Sequence, residues 1–189
     1  MTGRTICCGN KHITLYYASM ADKKLIYDMG REEQEIFESM FYGECESQPW
    51  EEYEQKNNEF YTGEKGKNNY LLIEHNGEVV GAVSHSYNQA ITENMEIDIW
   101  LRSTKYTGKG LGTQTITLLT DYLNREYSIK TFIIRPSKEN SRAIRCYTKS
   151  GFTVLPDFNA QEYYGADVGE WGDGDYGIDG TLNMIKIYP

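Results

Sequence analysis

The chain predicts one mixed α/β sheet, and three observations carry that prediction. Strand-like and helix-like stretches alternate along 189 residues with no repeat and no linker that would split them. Asn76-Gly77 lies between two apolar runs, a strong mark of an antiparallel hairpin. A glycine loop, Thr107–Thr113, joins a strand to a long amphipathic stretch. The expected order is a strand, two or three helices, three strands, a helix, a strand, a helix and two strands.

The elements follow in that order. Residues 1–11 read as a loose leader, and His12–Ala18 as a strand. From Met20 to Phe41 the apolar residues Leu25, Ile26, Met29, Ile36, Phe37 and Met40 recur at helical spacing, with Gly30 dividing two short helices. Pro49 can open a third helix, where its missing N–H costs nothing, and Glu51 and Glu52 suit the first turn. Tyr70–Glu74 and Val79–Val83 flank the Asn-Gly turn, and Met95–Leu101 is a further strand. Leu111, Thr115, Leu118, Leu119, Tyr122 and Leu123 give the next helix one apolar face. Lys130–Arg135 reads as a buried strand stopped by Pro136. Asn140 can cap a helix from about Ser141 to Ser150, which Gly151 can end. Two C-terminal strand regions remain, Phe152–Leu155 running on to Gln161–Tyr164, and Leu182–Tyr188. Between them lies a Gly- and Asp-rich loop, 165–180.

Composition narrows the function. With 28 acidic and 19 basic residues the formal charge is −9, which disfavours a nucleic-acid partner and favours a cationic one. The four cysteines, Cys7, Cys8, Cys45 and Cys146, have no metal-ligand spacing, and only three histidines are present, so no metal is expected. No stretch is apolar enough for a signal peptide or a membrane span; a cytoplasmic protein with reduced thiols and no membrane partner is expected.

Glycines at 108, 110 and 112 let a backbone approach a ligand at a helix N-terminus, a site for phosphate or pyrophosphate. A P-loop fails because Gly110 follows Lys109 where Ser or Thr is required. A dinucleotide fingerprint fails because the third glycine comes one position early. The pyrophosphate of coenzyme A remains, beside a glycine turn that holds no ligand.

Thr107-Gly108-Lys109-Gly110-Leu111-Gly112, followed by Asn140, Ala143, Tyr147, Lys149, Gly151 and Phe152, resembles the two signature motifs of the GNAT superfamily of N-acetyltransferases. The resemblance covers roughly residues 70–155. Thr107 stands where the family usually has Arg or Gln. The aminoglycoside 6′-N-acetyltransferase branch also tends to lack that Arg, and it resembles this chain further in Arg142–Tyr147, Lys149–Phe152 and an Asp ten residues before the loop, Asp98. The resemblance implies a twisted sheet of six or seven strands with helices on both faces and a splayed cleft for acetyl-CoA, with no metal. Homodimers are common in the family, but no interface is marked here.

On this reading the acetyl-CoA contacts come from Thr107, Gly108, Lys109, Gly110, Leu111, Gly112 and Thr113, from the main chain of Trp100, Leu101 and Arg102, and from Asn140 and Ala143. Asp98 would be the general base; Glu96, two residues away on the same strand face, is the alternative base or a second anionic anchor. Tyr147 could protonate the departing thiolate, or simply pack against Ala143. For the acceptor amine, Trp50, Glu51, Glu52, Asp98, Asp173, Asp175 and Asp179 are candidates, with Asp167, Glu170 and Trp171 nearby; a solvated acidic loop is the competing reading. Glycine at 177 breaks the EF-hand spacing in DGDYGIDG. The leading expectation is acetyl transfer to an aminoglycoside. The alternatives are a polyamine, amino acid or protein N-terminus as acceptor, or a coenzyme-A-binding module without turnover.

Overall fold

Eight strands share one sheet in this computed structural model, which describes residues 4–41, 48–87, 93–165, 168 and 172–189. They are β1 (Ile6–Gly9), β2 (Thr14–Tyr17), β3 (Asn69–His75), β4 (Glu78–Tyr87), β5 (Asn94–Leu101), β6 (Thr131–Ile134), β7 (Thr153–Val154) and β8 (Met184–Ile187). The spatial order is β1-β2-β3-β4-β5-β6-β8-β7, antiparallel throughout except for the parallel pair β5–β6. The helices are α1 (Lys23–Met29), α2 (Gln34–Phe41), α3 (Trp50–Tyr53), α4 (Leu111–Tyr127), α5 (Ser141–Lys149), α6 (Ala160–Tyr164) and α7 (Gly177–Gly180). No described helix is long and apolar enough to cross a membrane.

The hairpin turns at Asn76 and Gly77 with φ of 52° and 81°, the left-handed values its sequence suits. Two expectations need correction. Residues 1–11 are not merely a loose leader: Ile6–Gly9 is an edge strand. A bulge between Ile6 and Cys8 lets Cys7 and Cys8 both turn inward, which removes the alternation that reveals a strand. This strand also raises the count above the expected six or seven. Gln161–Tyr164 is not strand but part of α6. The Asn159 side chain accepts from Gln161 N at 3.1 Å, and Phe158 stacks on Tyr163 with centroids 5.3 Å apart. Cap and stack override the strand preference of the tyrosine pair.

Side chains of β5 alternate between two cores. Met95 and Ile97 pack with Leu111, Ile116, Leu119 and Leu123 of α4; Trp100 packs with Ile26 and Met29 of α1. The parallel pairing of β5 with β6 stops at Glu96 opposite Ile133. Beyond that point β5 keeps only β4, to Leu101, while β6 continues along β8. The two strands part, and their divergence opens a cleft at the centre of the sheet.

Candidate active site

The cleft holds a cavity of about 990 Å³ running from the glycine loop to the C-terminal acidic segment. At one end stands the N-terminus of α4. Gly108 and Gly110 have φ of 71° and 78°, and Gly110 is the cap residue. The first intrahelical bond runs from Gln114 N to Gly110 O, so the N–H groups of Leu111, Gly112 and Thr113 have no acceptor in the helix and face an anion-binding position. Gly112 is where α5 crosses closely: a Cβ there would lie 3.1 Å from Cys146 Sγ. The Asn140 side chain accepts from Ala143 N at 3.0 Å, the expected cap of α5. Arg142, Arg145 and Lys149, at spacings of three and four, line the cavity along one side of that helix.

At the other end β5 presents Glu96 and Asp98, and their environments differ. Arg135 Nε donates to Glu96 Oε1 at 3.0 Å, and the Tyr164 hydroxyl donates to Glu96 Oε2 at 2.8 Å. Arg135 is itself buried, and its guanidinium lies 5.0 Å from the centroid of the Tyr164 ring. Among the described residues Asp98 accepts only the N–H of Ile99, at 2.8 Å. Its carboxylate opens on the cavity but is closely ringed by protein. That poor solvation, then the charge of Asp175, then that of Glu96, pushes its pKa up to about 7 despite the Ile99 bond. Tyr147 is buried beside the cavity, and burial, followed by the Asp98 charge, raises its phenol well above the usual range.

Most expected ligand residues converge here. Thr107, Gly108, Gly110, Leu111, Gly112, Thr113, Asn140, Ala143, Trp100 and Leu101 line the cavity with Glu96, Asp98, Tyr147 and Asp175. Several expected residues do not. Lys109 is exposed at the loop tip. Arg102, expected to act through its main chain, is not part of the cavity wall: its N–H donates to Val80 O at 2.9 Å, and its guanidinium pairs with Glu32 at 2.6 Å in a separate surface hollow. Thr107 does line the cavity, but its hydroxyl turns back to donate to Thr104 O at 2.8 Å and closes the turn. Trp50, Glu51, Glu52, Asp173 and Asp179 lie outside the cavity wall. Trp50 packs edge-on against Tyr27 at 5.3 Å, and Glu52 takes a hydrogen bond from Gln48 at 3.2 Å. Asp173 and Asp179 are exposed to solvent. Asp167, Glu170, Trp171 and Cys45 fall outside the described residues.

The structure adds residues that the sequence did not single out. Tyr27, Arg31, Tyr53 and Tyr70 also form part of the cavity wall. With 16 tyrosines in the chain, nothing in the pattern distinguished these three. Arg135 did leave a signal, as a charge ending an otherwise apolar strand directly before Pro136. Tyr176, neighbour of Asp175, ties the C-terminal segment to α2 by donating to Met40 O at 3.0 Å.

A cleft between parting strands, with an anion-binding helix N-terminus at one end and a carboxylate near pKa 7 at the other, defines a group-transfer fold built for a phosphate-bearing donor. The acetyltransferase (GNAT) domain family matches residues 13–153, and the chain belongs to that family. Over 56 residues it is 41% identical to an aminoglycoside N(6′)-acetyltransferase type 1 of Klebsiella pneumoniae, covering 30% of this chain and 28% of that protein. A kanamycin resistance protein of Rhizobium radiobacter is likewise 41% identical over 56 residues, 30% of this chain and 52% of the relative. The matched region therefore spans only about a quarter to a half of these relatives. Among solved structures, AAC(6′)-Ib with coenzyme A and kanamycin superposes with a TM-score of 0.67 at 19% identity, over 93% of this chain and 94% of that one. The ribosomal L7/L12 α-N-protein acetyltransferase RimL superposes with a TM-score of 0.72 at 18% identity, over 98% and 95%. Likeness at such identity establishes the fold.

Proposed function

We propose that the protein transfers acetyl from acetyl-CoA to a primary amine, and that the amine belongs to an aminoglycoside. One observation carries the reading: Asp98 is open to the cleft with a pKa of about 7, while Glu96 beside it is paired with Arg135. A carboxylate of that pKa suits a general base at neutral pH.

In this mechanism the N–H groups of Leu111, Gly112 and Thr113 hold the coenzyme pyrophosphate. Arg142, Arg145 and Lys149 offer charge to its remaining phosphate. The edge of β5 beyond Glu96, where pairing with β6 ends, offers main-chain groups to the pantetheine amides and the thioester oxygen. Asp98 and Asp175 attract the ammonium, and Asp98 takes its proton. The amine lone pair then attacks the thioester carbonyl carbon; as the intermediate collapses the C–S bond breaks, the thiolate takes the Tyr147 proton, and the surplus proton on the nitrogen passes to the Tyr147 oxygen, leaving amide, free thiol and neutral phenol. Burial keeps that phenol protonated across the working range.

The aminoglycoside assignment draws on the 41% identical stretch and on the acceptor end itself. Two carboxylates and the rings of Tyr53 and Tyr70 suit a polycation made of sugar rings. The same reading assigns the protein to the cytoplasm, where acetyl-CoA is available. The test is thiol release from acetyl-CoA with kanamycin, spermidine, amino acids and basic peptides. Turnover of kanamycin with kcat/KM above about 10⁴ M⁻¹s⁻¹ is expected. Turnover of another amine alone would remove the aminoglycoside assignment and keep the acetyltransferase. Coenzyme binding without any turnover would replace both with a binding module.

A further inference from the structure

Among the described residues Lys23 is the largest side chain shut away from solvent, 1% exposed, and it takes no part in the proposed chemistry. An ammonium has three N–H donors and is costly to bury unless all are met. Here all three are: Nζ donates to Glu54 O at 3.0 Å, to Asn58 Oδ1 at 2.6 Å and to Lys56 O. The charge also sits between two rings, 5.3 Å from the centroid of Tyr53 and 5.2 Å from that of Tyr61.

What it grips is a segment unable to hold itself. Trp50–Tyr53 is a single helical turn, far below the length at which a helix is stable alone. The carbonyls of Glu54 and Lys56 lie just past its end, and a lysine there supplies donors that the turn lacks. Lys23 begins α1, which Ile26 and Met29 root in the core. The ammonium therefore ties a floating turn to a fixed helix.

The tie leads into the cavity wall. The hydroxyls of Tyr53 and Tyr61 are 2.8 Å apart. Tyr61 packs on Tyr70 with centroids at 5.2 Å, and Tyr70 meets Trp100 edge-on at 5.7 Å. Tyr53, Tyr70 and Trp100 all line the cavity, and Trp100 is two residues along β5 from Asp98.

We infer that Lys23 is a positioning residue for the acceptor: it clamps the turn after α3 and thereby fixes the Tyr53–Tyr61–Tyr70 wall opposite Asp98. The inference deepens the proposed function and rests on it for the role of that wall. The clamp itself can be read without turnover.

The experiment compares wild-type protein with Lys23→Met and with the milder Asn58→Ala, by amide hydrogen exchange and by steady-state kinetics on kanamycin and spermidine. Lys23→Met should lose protection at residues 50–61 while 94–101 and 111–127 keep theirs. It should raise the amine KM about tenfold, with kcat and the acetyl-CoA KM within twofold. Asn58→Ala, which leaves two acceptors, should raise the amine KM about threefold and keeps the test open if Lys23→Met does not fold. Protection unchanged at 50–61, or an amine KM unchanged when that protection is lost, overturns the inference. Loss of protection everywhere, with kcat falling alongside both KM values, would make Lys23 a general stability residue and also overturn it. If wild-type protein acetylates neither amine, the functional reading fails, and exchange at 50–61 still decides whether the clamp exists.

Discussion

Glu96 and Asp98 project from the same face of β5, and the structure pairs one and leaves the other open. Glu96 is held by Arg135 at 3.0 Å and by Tyr164 at 2.8 Å, whereas among the described residues Asp98 accepts only the N–H of Ile99. Two carboxylates that strand spacing made equivalent thus become different groups. On the proposed mechanism Arg135, arriving from the next strand, leaves Asp98 as the base.

Activity should therefore follow the titration of one group. With Asp98 at about 7, kcat/KM for the amine should rise with pH through that value and level off above it. Asp98→Asn should lower kcat by about 10²–10⁴-fold, the usual worth of a general base, and abolish the rise. Glu96→Gln should cost far less. A pH–rate profile of the three proteins checks this, and an equal loss in both variants would mean that the pair acts as a unit.

The position of that profile should shift in opposite directions with two neighbours. The Asp175 charge raises the Asp98 pKa, so Asp175→Asn should move the profile to lower pH while raising the KM for a polycationic amine. Arg135→Met leaves the Glu96 charge uncompensated, and a like charge nearby disfavours ionisation of Asp98. That profile should move to higher pH. The same pH titration of kcat/KM reads both shifts.

How much of this was legible in the sequence depends on whether the cause was local. The hairpin at Asn76-Gly77, the glycine cap of α4 and the Asn140 cap of α5 rest on backbone conformations that particular residues dictate, and each stands where its residues put it. Asp98, Tyr147 and the glycine loop could be named as candidates because they fall on one strand, the last turn of α5 and the start of α4, beside motifs that can be read locally. β1 was hidden because its bulge breaks alternation, and α6 because two tyrosines read as strand. The other end of the cavity was not legible for a different reason. Its wall is made by contacts between distant segments, so Tyr53 and Tyr70 line the cavity while Glu51, Asp173 and Asp179, more conspicuous in the sequence, face solvent.

A buried histidine gives a stability prediction independent of catalysis. His85 is fully enclosed, neither ring nitrogen has a hydrogen-bond partner among the described residues, and burial pushes its pKa down to about 4 from 6.5. As pH falls below 6.5 the unfolded chain gains a proton at this site that the folded chain refuses until about 4. Stability is therefore lost across that window, by about 3 kcal/mol at its lower end. Asp98, raised to about 7, works in the opposite direction over much of the same range, which would mask the trend in wild-type protein alone. The difference in unfolding free energy between wild-type protein and His85→Gln cancels Asp98. It should move against the wild type by that amount between pH 6.5 and 4 in urea titrations. A flat difference would mean that His85 gains a partner or protonates without cost.

The closest approach of α4 and α5 offers a test of the coenzyme end. A methyl at Gly112 would sit 3.1 Å from Cys146 Sγ, tight enough that the sulfur or the helix carrying it must yield by a few tenths of an ångström. Alanine is also the better helix former by roughly 1 kcal/mol, so stability alone would hide the strain. Geometry at the anion site would not. The N–H of residue 112 belongs to the group expected to hold pyrophosphate, and Arg142 and Arg145 ride on the helix being pushed. Gly112→Ala should raise the acetyl-CoA KM about fivefold with little change in the amine KM. Cys146→Ala removes the obstructing sulfur, so the double variant should return most of the loss, and calorimetric titration with coenzyme A would show the same coupling. Additive losses in the double variant would mean that the methyl acts on the phosphate directly and not through the helix contact.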